Sequence, residues 1–190
     1  MSEISDYLPG RLGRNEATLE TDERADPRII RALVAVGGLA PGLDEIDPEA
    51  TYEDCLLYCA SFEEAAAEGN ALLSANLPVI ESVDTAKEII GGVDGNQIQL
   101  YIHRPRKREG RVPCIVHFHG GGMVLMGATD PMFVRWRGAL ADLGVVVIGV
   151  EFRNGGGRLG NHPFPAGLND CASAVQWADL NRDELGISTI

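Results

Sequence analysis

The sequence predicts an α/β protein: a helical segment over residues 1–80, then a mostly parallel sheet with a leading β-hairpin over residues 81–190. Three observations predict it. Proline-punctuated helix signals fill the first part. An Asp-Gly turn between two alternating runs marks a hairpin. Apolar strand-like runs then alternate with helical periodicity, the pattern of parallel strands joined by crossover helices.

Composition bounds the function. The 190 residues suffice for one domain with a core, and 45% hydrophobic with 23% charged is ordinary for a globular chain. Acids outnumber bases 28 to 16, giving a net charge of -12. A nucleic-acid partner, which needs clustered Lys and Arg, is not expected. Met1 to Gly10 carries Glu3 and Asp6 without an apolar stretch, unlike a secretory signal. The longest apolar run, Val145 to Val150, is too short to span a bilayer. Cys55, Cys59, Cys114 and Cys171 have no CxxC spacing and suit small buried hydrophobes in a reducing, cytoplasmic setting.

The elements follow in order. Asp26-Pro27 starts a helix with Ile29, Ile30, Leu33 and Val34 as its stripe, stopped by Gly37-Gly38. Asp47-Pro48 starts a second, carried by Tyr52, Cys55, Leu56, Cys59, Phe62 and Ala66 and ended by Gly69-Asn70. Lys87 to Ile90 and Gln97 to His103 flank the turn Gly91 to Asn96, with Ile98, Leu100 and Ile102 on one face. Arg104 to Arg111 forms a basic, solubilising loop. Cys114 to Phe118 and Val145 to Val150 suit strands covered on both faces. Between them Asp130-Pro131 starts a helix with Phe133, Trp136, Leu140 and Leu143 on one side. Ala172, Ala174, Val175, Trp177 and Ala178 predict a largely buried helix from about Leu168 to Arg182. Ile187 to Ile190 opens one more strand.

The chemistry is carried by His119-Gly120-Gly121-Gly122, directly after the strand ending at Phe118. A tight turn needs one or two glycines; three after a histidine leave backbone N–H groups unshielded and able to approach a ligand oxygen. Such a loop stabilises the oxyanion formed when a carbonyl is attacked, and an HGGG segment is the oxyanion-hole loop of lipase and esterase α/β-hydrolases. Gly121 and Gly122 are the expected donors. His119 and Gly120 support the loop, His119 by hydrogen bonding rather than proton transfer.

Other candidates are weaker. His117 and His119 share a strand face, but two ligands do not make a zinc site, and no metal is expected. Gly155 to Gly160 matches GxGxxG formally, yet Pro163 and Pro165 follow where a dinucleotide site needs a helix, so no cofactor is expected and a flexible substrate-side or lid-type loop is the better reading. Asp170, in the first turn of the late helix, is expected to be a structural brace and not a triad acid.

HGGGM, Phe152-Arg153-Asn154 and HPFPAGLNDC together resemble the hormone-sensitive-lipase family of α/β-hydrolases, most of all its bacterial brefeldin A esterase branch. Pro9 to Gly13 and Gly91 to Asn96 extend the resemblance over nearly the whole chain. It implies a mostly parallel sheet under a helical cap that includes residues 1–80, and hydrolysis of carboxylic esters through an acyl-enzyme. It places the serine elbow after the strand opening at Ile187, with the acid and histidine later still. Two departures stand out. Eight residues separate Arg153 from His162 where many members have four, and no Gly-x-Ser-x-Gly occurs in the 190 residues. Triad Ser, Asp and His are absent, so the chain corresponds to the N-terminal portion only. It is expected to supply the oxyanion loop, to be inactive alone, and to have as partners a small ester substrate and the C-terminal half of the fold. The alternative is a non-catalytic hydrolase fragment acting as a small-molecule or protein binding module.

Overall fold

The structure, a computed structural model, describes residues 20–35 and 46–190. The Pro9–Gly13 motif and the Gly37-Gly38 stop lie outside the described residues. The chain divides into two compact units, residues 1–45 and 46–190. In the first, helix α1 spans Pro27–Ala35 and starts at the Asp26-Pro27 signal. The Asp26 carboxylate accepts from the Arg28 backbone N–H at 2.8 Å, occupying a donor that the helix start leaves free.

In the second unit helix α2 spans Tyr52–Ser74, later than the Asp47-Pro48 signal. Thr51 caps it with a reciprocal box, its hydroxyl oxygen accepting from Asp54 N while Asp54 accepts from Thr51 N. Asp47 instead closes a turn, accepting from the backbone of Glu49 and Ala50. The helix also runs past Gly69-Asn70. One interior glycine costs about 1 kcal/mol against alanine, too little by itself to end a 23-residue helix.

The sheet has the order β1-β2-β4-β3, with β1 Val83–Gly91, β2 Gln97–Pro105, β3 Cys114–Phe118 and β4 Val146–Glu151. β1 and β2 form the expected hairpin, with Ile90 opposite Ile98 and the turn closed by Gly92 N–H to Asn96 O at 2.8 Å. β2 runs antiparallel to β4, and β3 runs parallel to it through the crossover helix α3, Pro131–Asp142. Helices α4, Ala166–Leu180, and α5, Arg182–Leu185, lead to a parallel bridge between Val112 and Ile187. Cys114 N–H donates to Thr189 O at 2.8 Å, so the strand opening at Ile187 already pairs beside β3. Ile98, Leu100 and Ile102 pack with Val146, Ile148, Val150, Ala174 and Ala178 into one core. Each buried Val, Leu or Ile there contributes about 1.5–3 kcal/mol relative to exposure.

Three expectations are corrected. α3 buries Arg137, Gly138 and Ala141, while Trp136 and Leu143 are 46% and 81% exposed. Small residues let the helix approach the sheet, and Arg137 lies over Gly149, where a side chain would collide with its guanidinium. α4 buries one stripe, Gly167, Asp170, Cys171, Ala174 and Ala178, and leaves Ala172 and Val175 outside, so it is not largely buried. The basic cluster does more than solubilise: Arg106 pairs with Asp84 at 2.7 Å, Arg111 with Asp183 at 2.5 Å, and Arg108 donates to Leu185 O at 3.0 Å.

Candidate active site

The glycine loop leaves the carboxyl end of β3, the side of a parallel sheet where ligand crevices form. His119 is buried, its ring stacked on Phe152 with centroids 4.1 Å apart and tilted against Phe133 at 5.8 Å. Its Nδ1 donates to Gly120 O at 2.8 Å. Burial lowers its pKa, so the ring is held neutral. Gly121 has φ +117°, and a Cβ there would strike the Leu125 carbonyl. Gly122 and Met123 follow at φ +65° and +59°. The Gly121 carbonyl accepts from Val124 N and Leu125 N at 3.0 and 3.2 Å, curling the chain back. Among the described residues, the N–H groups of Gly121 and Gly122 meet no acceptor. Adjacent unpaired donors on a fixed, partly exposed backbone are suited to receive an anionic oxygen.

Several partners fix that backbone. Gly155 N–H donates to Met123 O at 2.9 Å and Gly156 N–H to Val124 O at 2.8 Å. Buried Asn154 donates Nδ2–H to Met126 O at 2.7 Å. From α2, Glu63 accepts from Met126 N at 2.5 Å and from Arg158 N at 2.7 Å. Further on, Ala128 N–H donates to Glu151 Oε1 at 2.6 Å, and buried Arg137 donates Nη2–H to Ala128 O at 2.6 Å. Asn154 belonged to a recognised motif. Glu63 and Arg137 carried no signal: each is a charged residue at a helical position whose role depends on a distant partner.

His117 and His119 both lie against Phe133, as their spacing predicts. Their further surroundings differ. His117 packs on Trp136 at 4.7 Å with Arg137 Nη1 3.4 Å from its Nδ1, and burial foremost pushes its pKa down to about 4. Among the described residues no group of three His, Cys, Asp or Glu is placed to hold a metal ion. The Gly155–Gly160 segment holds a single 3-10 turn, Gly157–Leu159, with α4 opening only at Ala166. That is not a strand-to-helix phosphate loop. Asp170 is a brace: it is 1% exposed and accepts from Arg153 N, Nε and Nη2 and from Asn96 Nδ2.

A hydrolase core emerges from this geometry, with a hairpin leading a parallel crossover sheet and a glycine loop at the end of β3. The sheet and its helices match the N-terminal part of an α/β-hydrolase fold. The BD-FAE family profile matches residues 100–189. Among solved structures, brefeldin A esterase, a bacterial homologue of human hormone sensitive lipase, superposes with TM-score 0.73 at 37% identity over 95% of this chain. Esterase Est22 does so with TM-score 0.71 at 31% identity over 92%. Carboxylesterase NlhH of Mycobacterium tuberculosis is 32% identical over 50% of this chain and 28% of its own length. Tuliposide A-converting enzyme b1 of Tulipa gesneriana, an amyloplastic protein, is 29% identical over 53% and 26%. The resemblance to the hormone-sensitive-lipase family thus holds in sequence and in structure. The chain spans about half the length of the solved esterases, 50% and 52% of those two chains. No helix among the described residues is long and apolar enough to cross a membrane.

Proposed function

We propose that these residues are the N-terminal part of a serine carboxylesterase and contribute its oxyanion hole. The unpaired N–H groups of Gly121 and Gly122 carry this proposal. A serine oxygen adds to the ester carbonyl carbon, and the carbonyl oxygen becomes the anion that the two N–H groups receive. Collapse breaks the carbon–alkoxy bond, the alcohol departs with the proton that the serine hydroxyl gave up, and an acyl-enzyme remains; water repeats the sequence to release the acid. His119, neutral and hydrogen-bonded to Gly120 O, shapes the loop and transfers no proton. Residues 1–80, which include α2, form a cap segment and residues 81–190 the core. The substrate is a small ester. Four cysteines without a disulfide fit a reducing, cytoplasmic location.

Residues 1–190 alone contain no Gly-x-Ser-x-Gly. Loss of the nucleophile in a serine hydrolase costs on the order of 10⁶ in rate, so this stretch by itself is expected to be inactive. The test is hydrolysis of p-nitrophenyl acetate. Saturable turnover by the natural polypeptide containing these residues, and none by residues 1–190, supports the proposal; saturable turnover by residues 1–190 overturns it. The second reading is a non-catalytic module that binds a small molecule or protein partner through the cap and the glycine loop. A stable natural polypeptide that hydrolyses no ester would support that reading.

A further inference from the structure

We propose that Glu63 is a positioning residue of the glycine loop, so that seating of α2 sets the aim of the Gly121 and Gly122 donors. The inference rests on the esterase proposal and extends it to a residue outside the recognised motifs. Tyr52, Leu56, Cys59 and Glu63 fall on one stripe of α2 by helical spacing. Each meets the loops beneath. The Tyr52 hydroxyl bonds Asn161 Oδ1, Leu56 and Cys59 border Gly156, and Glu63 reaches two backbone amides.

The Glu63 carboxylate uses both oxygens. Oε1 accepts from Met126 N and Oε2 from Arg158 N, and the Arg158 guanidinium lies 4.0 Å from Oε1. Gly157 leaves room for it, since a Cβ there would meet the carboxylate. Met126 sits at φ +71°, a conformation a side-chain-bearing residue adopts only when its surroundings impose it. Here they do, from both sides. Glu63 takes its N–H, and Asn154 donates to its carbonyl. Met123, at φ +59°, is likewise pinned through its carbonyl by Gly155. The turn from Gly121 to Met126 is thus held by partners on α2 and on the segment after β4. Removing Glu63 frees Met126 N–H at the point where α2 grips the turn. The donors then lose their shared aim, an effect that acts on the transition state and hardly on ground-state binding.

The test uses the natural polypeptide containing these residues, with Glu63→Gln, Glu63→Ala and the exposed neighbour Glu64→Gln as control. Glutamine keeps the shape but turns one acceptor into a donor facing an amide. Both Glu63 variants should lower kcat for p-nitrophenyl acetate about 10- to 100-fold, the scale of a small misplacement of catalytic groups, with KM within about twofold. Hydrogen exchange at the Met126 and Arg158 amides should accelerate selectively, and Glu64→Gln should change neither. Raised KM with unchanged kcat, or unchanged exchange at both amides, overturns the proposal. If the wild type hydrolyses no ester, the esterase reading fails, and exchange in the Gln variant still decides whether Glu63 holds the loop.

Discussion

Arg153 grips Asp170 with two prongs, Nε to Oδ2 at 2.9 Å and Nη2 to Oδ1 at 2.8 Å, while its own backbone N–H donates to the same carboxylate at 2.9 Å. The guanidinium also reaches Asp94 at 2.6 Å, and Asn96 bonds Asp170 at 2.9 Å. Hairpin turn, β4 end and α4 start are tied through one buried acid. Removing one partner of a buried pair leaves the other uncompensated, at about 3–5 kcal/mol. Arg153 is 22% exposed, so water relieves part of this. Asp170→Ala is expected to cost about 3 kcal/mol in urea unfolding. A loss under about 1 kcal/mol would refute the bracing role.

Mild acid should weaken the fold. Burial foremost, with Arg137 next, pushes His103 and His117 down to about 4. Both rings are therefore neutral in the fold at pH values where the unfolded chain, with an ordinary value near 6.5, takes up protons. Stability is full above about pH 6.5, falls as pH drops toward about 4, and levels off below that as far as these groups are concerned. The urea midpoint should decline between pH 7 and pH 4.5. His103→Asn should flatten that decline; an unchanged slope would contradict the assignment.

The two glycines proposed as donors should respond differently to alanine. At Gly121 the methyl meets the Leu125 carbonyl, whereas at Gly122 nothing lies within 4 Å. Gly121→Ala in the natural polypeptide should lower kcat about 10²- to 10³-fold, the scale of a lost oxyanion donor. Gly122→Ala keeps its N–H and adds only the cost of positive φ, so it should lose far less. Equal losses at the two positions would argue against this geometry.

Residues 1–190 expressed alone should be marginally stable. β3 presents its outer edge beyond the short pairing at residues 187–189, and Ile115, Phe118, Leu168 and Leu180 are exposed. Apolar strand edges promote aggregation. Thermal melting should be lower and less cooperative than for a polypeptide that also carries the rest of the hydrolase fold. Equal, cooperative melts would sink the idea.

The hairpin, strands β3 and β4 and the HGGG loop were legible because each depends on local pattern: Asp-Gly between alternating runs, continuous apolar stretches, and glycines after a strand. The α2 boundaries were misjudged because the Thr51 capping box outcompetes the Asp47-Pro48 signal. The buried face of α3 was misjudged because large apolar residues suggest burial, while Gly138 and Ala141 permit close approach and Arg137 finds its partners on β4 and the loop before α3. Glu63 was invisible for the same reason: its partners lie more than 60 residues away in sequence, in loops whose course no periodicity encodes.

The most direct test is covalent labelling of the natural polypeptide by a fluorophosphonate, which modifies a serine only where a nucleophile and a working oxyanion hole coincide. The expected result is stoichiometric modification of one serine within a Gly-x-Ser-x-Gly, none within residues 1–190, and much slower labelling in Gly121→Ala. Absence of labelling in the folded polypeptide, or a rate indifferent to Gly121→Ala, would contradict an oxyanion role for the loop.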